Sequence, residues 1–203
     1  MDSLPDGVIV RALQRHEDER GSLIEIHRDS WGRGAAAQFN LVVSAPGVLR
    51  GVHLHFVHTD QLVMAHGRMV VGLHDCRSGS PTFGQGASVL LEDADRALIV
   101  PPGVAHGFWM PNGGTLVYGL DAEWTPADEL GCRWDDPALK IDWSAFGDPL
   151  PTASPGLPHL SERDRGAHPL AAMVAEYNAT RGDGNGTVHG APAGRESAIG
   201  TNR

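Results

Sequence analysis

Cysteine is scarce in this chain. Cys76 and Cys132 are its two cysteines in 203 residues, and no Cys-X-X-Cys spacing occurs. A disulfide scaffold is therefore not in view; the expectation is a reduced, cytoplasmic chain with two inert thiols. No apolar run reaches 18 residues, so no membrane-spanning helix is expected. The opening Met-Asp-Ser-Leu-Pro-Asp is acidic and has no hydrophobic signal core. Basic residues are few, 16 Lys and Arg against 25 Asp and Glu, for a formal net charge of −9 without a basic block. That balance argues against nucleic acid as a partner, because phosphate binding needs clustered cations. A small anionic ligand remains compatible, since a few arginines in a cleft can hold one. Aromatics make up only 6%, yet the hydrophobic fraction of 41% suffices for a core.

What the chain does have is short alternating segments. Strands are read within 7–27, at 36–43, and near 50–56, 61–65, 68–75, 87–91, 97–100, 105–110 and 115–121. Gly, Pro or Asp–Asn clusters separate them at roughly ten-residue intervals, a rhythm of sandwiches and barrels and not of βαβ units. Short helices are predicted near 126–130 and 168–179. The size suits one domain of about 150 residues with tails. Residues 1–165 are assigned to that domain and 166–180 to a short helical segment. Residues 181–203, rich in Gly, Ser, Ala and Asn, are assigned to a flexible tail that cannot bury enough surface to offset its ordering entropy.

The stretch with most chemistry is Gly47-Val-Leu-Arg-Gly-Val-His53-Leu-His55, then Asp60 and Gly67. A second, Pro101-Pro-Gly-Val-Ala-His106-Gly-Phe108, lies about fifty residues on. Residues two apart share a strand face, so His53 and His55 can both point inward. The pattern predicts an all-β, double-stranded β-helix jelly roll (a cupin), with short C-terminal helices and its chemistry inside the barrel.

Over about Val8 to Asp164 the chain resembles the dTDP-4-dehydrorhamnose 3,5-epimerase family. The matching pieces stand in family order. They are Asp18-Glu-Arg20-Gly with Glu25, Gln38-Phe-Asn40 with Ser44, and Gly47 to His53. Asp75-Cys-Arg77-Ser-Gly-Ser80-Pro-Thr-Phe-Gly84 and Pro102 to Phe108 follow. Tyr118, Trp134-Asp-Asp136-Pro, Ile141-Asp-Trp143 and Leu160-Ser-Glu-Arg-Asp164 complete the set. The resemblance implies a homodimer without a cofactor that binds a dTDP-linked 4-keto-6-deoxy sugar and moves protons beside its ketone. It makes His53 the base, Asp136 its orienting partner and Tyr118 the acid on the opposite face. Arg20, Glu25, Gln38, Asn40, Arg50 and His106 match its substrate-binding positions. The chemistry is coherent: histidine titrates near neutrality, a carboxylate fixes its tautomer, and arginine forks suit a diphosphate.

Two positions depart from the family. Its lysine, seven residues before the glycine matching Gly67, is Asp60 here, and its glutamine two after the base is His55. A charge pair at ~4 Å and an effective dielectric of ~20 is worth about 4 kcal/mol, so losing that lysine from an enolate oxygen matters. Three other readings follow. His53 and His55 could act together in a sugar-nucleotide 3,4-ketoisomerase. His53, His55, Asp60 and His106 could hold a metal, as in other cupins, which would occupy the base. The scaffold could also bind without catalysing. Of the remaining histidines, His58, His66 and His74 are read as loop or surface residues. Trp124 is read as a ligand-stacking residue or a core residue.

Overall fold

The computed structural model describes residues 3–31, 36–149, 156 and 158–182. Its strands are β1 (Ile9–Ala12), β2 (Arg15–Asp18), β3 (Gly21–Ile24), β4 (Gln38–Ser44), β5 (Val48–His55) and β6 (Asp60–Asp75). They continue with β7 (Gly86–Glu92), β8 (Arg96–Val100), β9 (Val104–Met110), β10 (Gly114–Leu120) and β11 (Glu129–Gly131). β2 and β3 form a separate hairpin, and the other nine are joined through antiparallel ladders.

The long strand β6 organises the barrel. Its first half pairs with β8 and β10, and its second half with β7 and β9. It therefore belongs to both walls. The two strands expected at 61–65 and 68–75 are one, because Gly67, at φ +92°, bends the chain without ending the ladder. β5 lies between β9 and β11 in one wall, and β10 between β4 and β6 in the other. The result is the all-β jelly roll that the Gly-punctuated, histidine-bearing segments predict.

Apolar side chains leave the barrel wall in both directions. Leu62, Met64, Leu73, Leu98 and Leu116 belong to one buried cluster. Leu49, Leu54 and Trp109 point the other way and are covered by Leu139, Trp143, Leu170, Met173 and Tyr177. The last three belong to α2 (Leu170–Gly182), the helix expected at 168–179. It packs against the outer face of this barrel wall. The helix expected near 126–130 is a 3-10 turn, Pro126–Asp128, running directly into β11. Pairing with β5 overrides the local helical preference there. Most of the tail assigned from 181 lies outside the described residues. No helix among the described residues is long and apolar enough to cross a membrane.

Asp75 closes β6 with a fully buried carboxylate. It accepts hydrogen bonds from Arg77 Nε (2.8 Å) and Nη2 (2.7 Å), Ser80 Oγ (2.6 Å) and Thr82 Oγ1 (2.6 Å). Burial alone would raise its pKa, but these donors outweigh burial and bring it down to about 2. A folded-state value below the unfolded one adds stability above the unfolded pKa, and that stability is lost as pH falls through the folded value. About 2 kcal/mol is therefore expected to disappear between roughly pH 4 and pH 2. Urea unfolding across that range should show the loss in the wild type and a much flatter profile in Asp75→Asn. The Asp75–Thr82 motif is thus a structural turn.

Candidate active site

The site begins at an irregularity in β5. The β5–β9 register shifts between Arg50 and His53, and Gly51 sits in the shift at φ +98°. A Cβ there would come within 2.9 Å of His106 O and of Gly107 Cα, so the two strands approach this closely only with glycine at 51. Past the shift, His53 and His55 face a cavity of about 650 Å³. His53 pairs with His106 on β9 and with Gly131 on β11.

His53 Nε2 lies 2.8 Å from Asp164 Oδ1. Asp164 sits on the short helix α1 (Glu162–Arg165), whose N-cap Ser161 accepts a hydrogen bond from the Asp164 amide. Burial would raise the Asp164 pKa, but hydrogen bonds from His53, Ser161 and the Gly51 backbone hold it below the usual value. An ionised carboxylate can only accept, so Nε2 carries the proton and Nδ1 holds the lone pair. Glu129 Oε1 lies 3.7 Å from Nδ1.

This corrects the sequence-based pairing of His53 with Asp136. Asp136 does not line the cavity. It caps the 3-10 turn Pro137–Leu139 by accepting from Ala138 N, and ties down the start of α2 by accepting from Leu170 N. The Trp-X-Asp run pointed to the wrong carboxylate. The right one stood in Ser161-Glu-Arg-Asp164, an N-cap pattern whose fourth residue is an acid.

Tyr118 stands on β10, in the opposite wall, and lines the same cavity. Burial first, then the charges of Asp60 and Glu129, raise its pKa, so the phenol is neutral and can donate. Gln38, Asn40, Arg50 and His106 line the cavity as the sequence reading expects. Gln38 Nε2 donates to Asn40 Oδ1 (3.0 Å), and Arg50 Nε to Ser44 Oγ (3.3 Å). Arg20 and Glu25 do not reach it within one chain. Arg20, at the β2–β3 turn, pairs with Asp18, and Glu25 with Arg28, all at the surface. Trp124 stands at the cavity and not in the core, donating Nε1–H to Glu129 Oε2 (2.8 Å).

Sequence reasoning missed the acids of the 128–129 pair. Glu129 projects beside His53 and pairs with Arg163. Asp128 accepts from Phe56 N and Val57 N (both 2.8 Å) and bonds His58 Nδ1 (2.6 Å). Two histidines read as surface residues are buried: His58 faces the cavity, and His74 bonds Leu139 O at 2.9 Å. His66 is exposed as expected. The four-residue metal set is also redrawn, because His53 is engaged by Asp164. His55, Asp60 and His106 do converge, and His58, grouped with His55 and Asp128, has its Nε2 3.6 Å from Asp60 Oδ2. Burial is the main force lowering the His55 pKa to about 2 and the His106 pKa to about 4, while it raises Asp60 well above its usual value. The Cys76 and Cys132 thiols are both pushed by burial up to about 12, consistent with inert cysteines.

A jelly roll whose interior sets a carboxylate-anchored imidazole across from a neutral phenol defines a cupin of the proton-transferring kind. The family model described as dTDP-4-dehydrorhamnose 3,5-epimerase matches residues 3–172. A dTDP-4-dehydrorhamnose 3,5-epimerase of Mycobacterium tuberculosis is 37% identical over 163 residues, covering 75% of this chain and 77% of its own. A dTDP-4-dehydrorhamnose 3-epimerase of Streptomyces niveus is 34% identical over 177 residues, covering 82% and 81%. A solved epimerase structure from Mycobacterium tuberculosis superposes with a TM-score of 0.74 at 32% identity, covering 84% of this chain and 88% of that one. The chain belongs to the dTDP-4-dehydrorhamnose 3,5-epimerase family.

Proposed function

We propose that this protein epimerises a dTDP-linked 4-keto-6-deoxyhexose at C3, C5 or both, in deoxysugar biosynthesis. The observation that carries the reading is the 2.8 Å contact of His53 Nε2 with Asp164, which leaves Nδ1 as the basic nitrogen in a cavity that Tyr118 enters from the other wall. Nδ1 takes the proton from a carbon beside the C4 ketone, and the electron pair moves onto the ketone oxygen as an enolate. The imidazolium is held by Asp164. Return of a proton from Tyr118 on the opposite face inverts the centre. Arg50 carries positive charge on the cavity wall, suited to the diphosphate.

A homodimer fits the surface. Phe39, Leu41 and Val43 leave an exposed apolar stripe along β4, which pairs with β10 alone among the described strands. In a dimer the exposed β2–β3 hairpin could offer Arg20 and Glu25 to a second copy's cavity. The ketoisomerase reading gains less support, because burial and the neighbouring imidazoles lower the His55 pKa to about 2, which opposes proton uptake by that ring at neutral pH.

The test is uptake of solvent deuterium into a dTDP-4-keto-6-deoxy sugar, read by position with NMR. Tyr118→Phe is expected to slow exchange at C5 by about a hundredfold, the low end of what a positioned acid contributes, and to affect C3 less. Absence of label at both carbons in the wild type would refute the reading.

A further inference from the structure

His55, His58 and His106 converge on one oxygen. Their Nε2 atoms lie 3.7, 3.6 and 3.6 Å from Asp60 Oδ2. The other nitrogen of each ring meets an oxygen that only accepts. His55 Nδ1 donates to Asp128 O at 3.3 Å, His58 Nδ1 to Asp128 Oδ2 at 2.6 Å, and His106 Nδ1 to Val104 O at 3.4 Å. Those partners place the ring protons on Nδ1 and turn three Nε2 lone pairs toward a carboxylate. The His58 side chain is 1% exposed, and its Nε2 has no hydrogen-bond partner. Four acceptors facing one another need something electropositive in common. A proton on Asp60 would satisfy one imidazole; a divalent cation would satisfy all three.

We propose that His55, His58, His106 and Asp60 form a mononuclear site for a divalent first-row transition metal ion. Three imidazole nitrogens and one carboxylate oxygen are a donor set that such ions favour. Bonds of about 2.0–2.1 Å put neighbouring donors of a tetrahedron roughly 3.4 Å apart, so each Nε2, at 3.6 to 3.7 Å, needs to approach Asp60 Oδ2 by only a few tenths of an ångström. His55, Asp60 and His106 already form one close group, and the His58 ring swings toward them to complete the set. The outer partners are in place as well. Asp128, itself held by two backbone amides, orients His58 in the carboxylate–histidine arrangement that supports metal ligands.

His53 stays outside the set, so a metal and a free base coexist. His55 is two residues along the same strand face, and His106 is the cross-strand neighbour of His53, which puts the ion beside the base. Its role rests on the epimerase reading above. At Asp60, where the family's lysine is expected, the ion restores positive charge and stabilises the enolate oxygen as a Lewis acid.

The test uses tag-free full-length protein, dialysed against chelator and titrated with Co(II), with bound metal counted and visible d–d absorption recorded. One Co(II) per chain with a four-coordinate spectrum is expected. His58→Ala and Asp60→Asn should weaken binding at least a hundredfold. Asp128→Asn should weaken it about ten- to a hundredfold, as loss of an outer partner does. His53→Asn should bind Co(II) as the wild type does. Circular dichroism establishes that each variant is folded, and the near-isosteric Asp60→Asn remains informative where His58→Ala does not fold. Failure of folded wild type to bind Co(II) stoichiometrically would overturn the site. So would loss of binding in His53→Asn with retention in His58→Ala. The two readings separate cleanly: solvent exchange without Co(II) binding removes the metal site and leaves the epimerase. Stoichiometric Co(II) without exchange does the reverse.

Discussion

Replacing His53 with Asn is expected to lower solvent exchange into the 4-keto sugar by about 10⁴-fold, the upper end of what general base catalysis contributes. The side chain keeps similar bulk and can still hydrogen-bond Asp164, so the cavity should persist. What is lost is the ring lone pair that lifts the carbon-bound proton. His55 and His106 do not replace it: both have Nδ1 committed to carbonyls, and burial first of all lowers their pKa values to about 2 and about 4. Position-resolved NMR in deuterated buffer reads the effect, and binding of dTDP by calorimetry should remain within a few-fold of wild type. Exchange at the wild-type rate in this variant would end the assignment of His53 as the base.

The second large effect concerns its partner. Asp164→Asn is expected to reduce exchange about 10³-fold, and Asp136→Asn by less than about twofold. In the first variant the amide can donate to Nε2, which moves the ring proton to Nδ1 and removes the basic nitrogen from the substrate side. It also removes the negative charge that stabilises the imidazolium. Asp136 only caps a turn and the start of α2, so its replacement should cost about 1 kcal/mol of stability and leave the chemistry intact. Parallel measurement of exchange rate and urea midpoint separates the two. A collapse of activity in Asp136→Asn with Asp164→Asn unaffected would restore the pairing that the sequence suggests.

The two carboxylates show where reading a sequence stops. Both stand in short acidic runs, and nothing along the chain says which one folds back over β5. Asp164 is 111 residues from His53 and reaches it because His159 bridges to Val48 and aims α1 at the cavity. His58 teaches the same lesson. In sequence it is a histidine in a loop after the His-X-His strand. It is buried because Asp128, seventy residues on, draws it inward.

The jelly roll and the inward pair His53 and His55 were legible from one dimension, while the wall positions Gln38, Asn40, Arg50, His106 and Tyr118 came from the resemblance to the epimerase family. Strand alternation is a local property, and glycines mark where the backbone must turn or approach another strand. Partner choice was not legible. Which acid meets which imidazole, and which nitrogens converge on Asp60, depend on contacts across the barrel. Those are decided only when its two walls close and burial forces each polar group to find its complement.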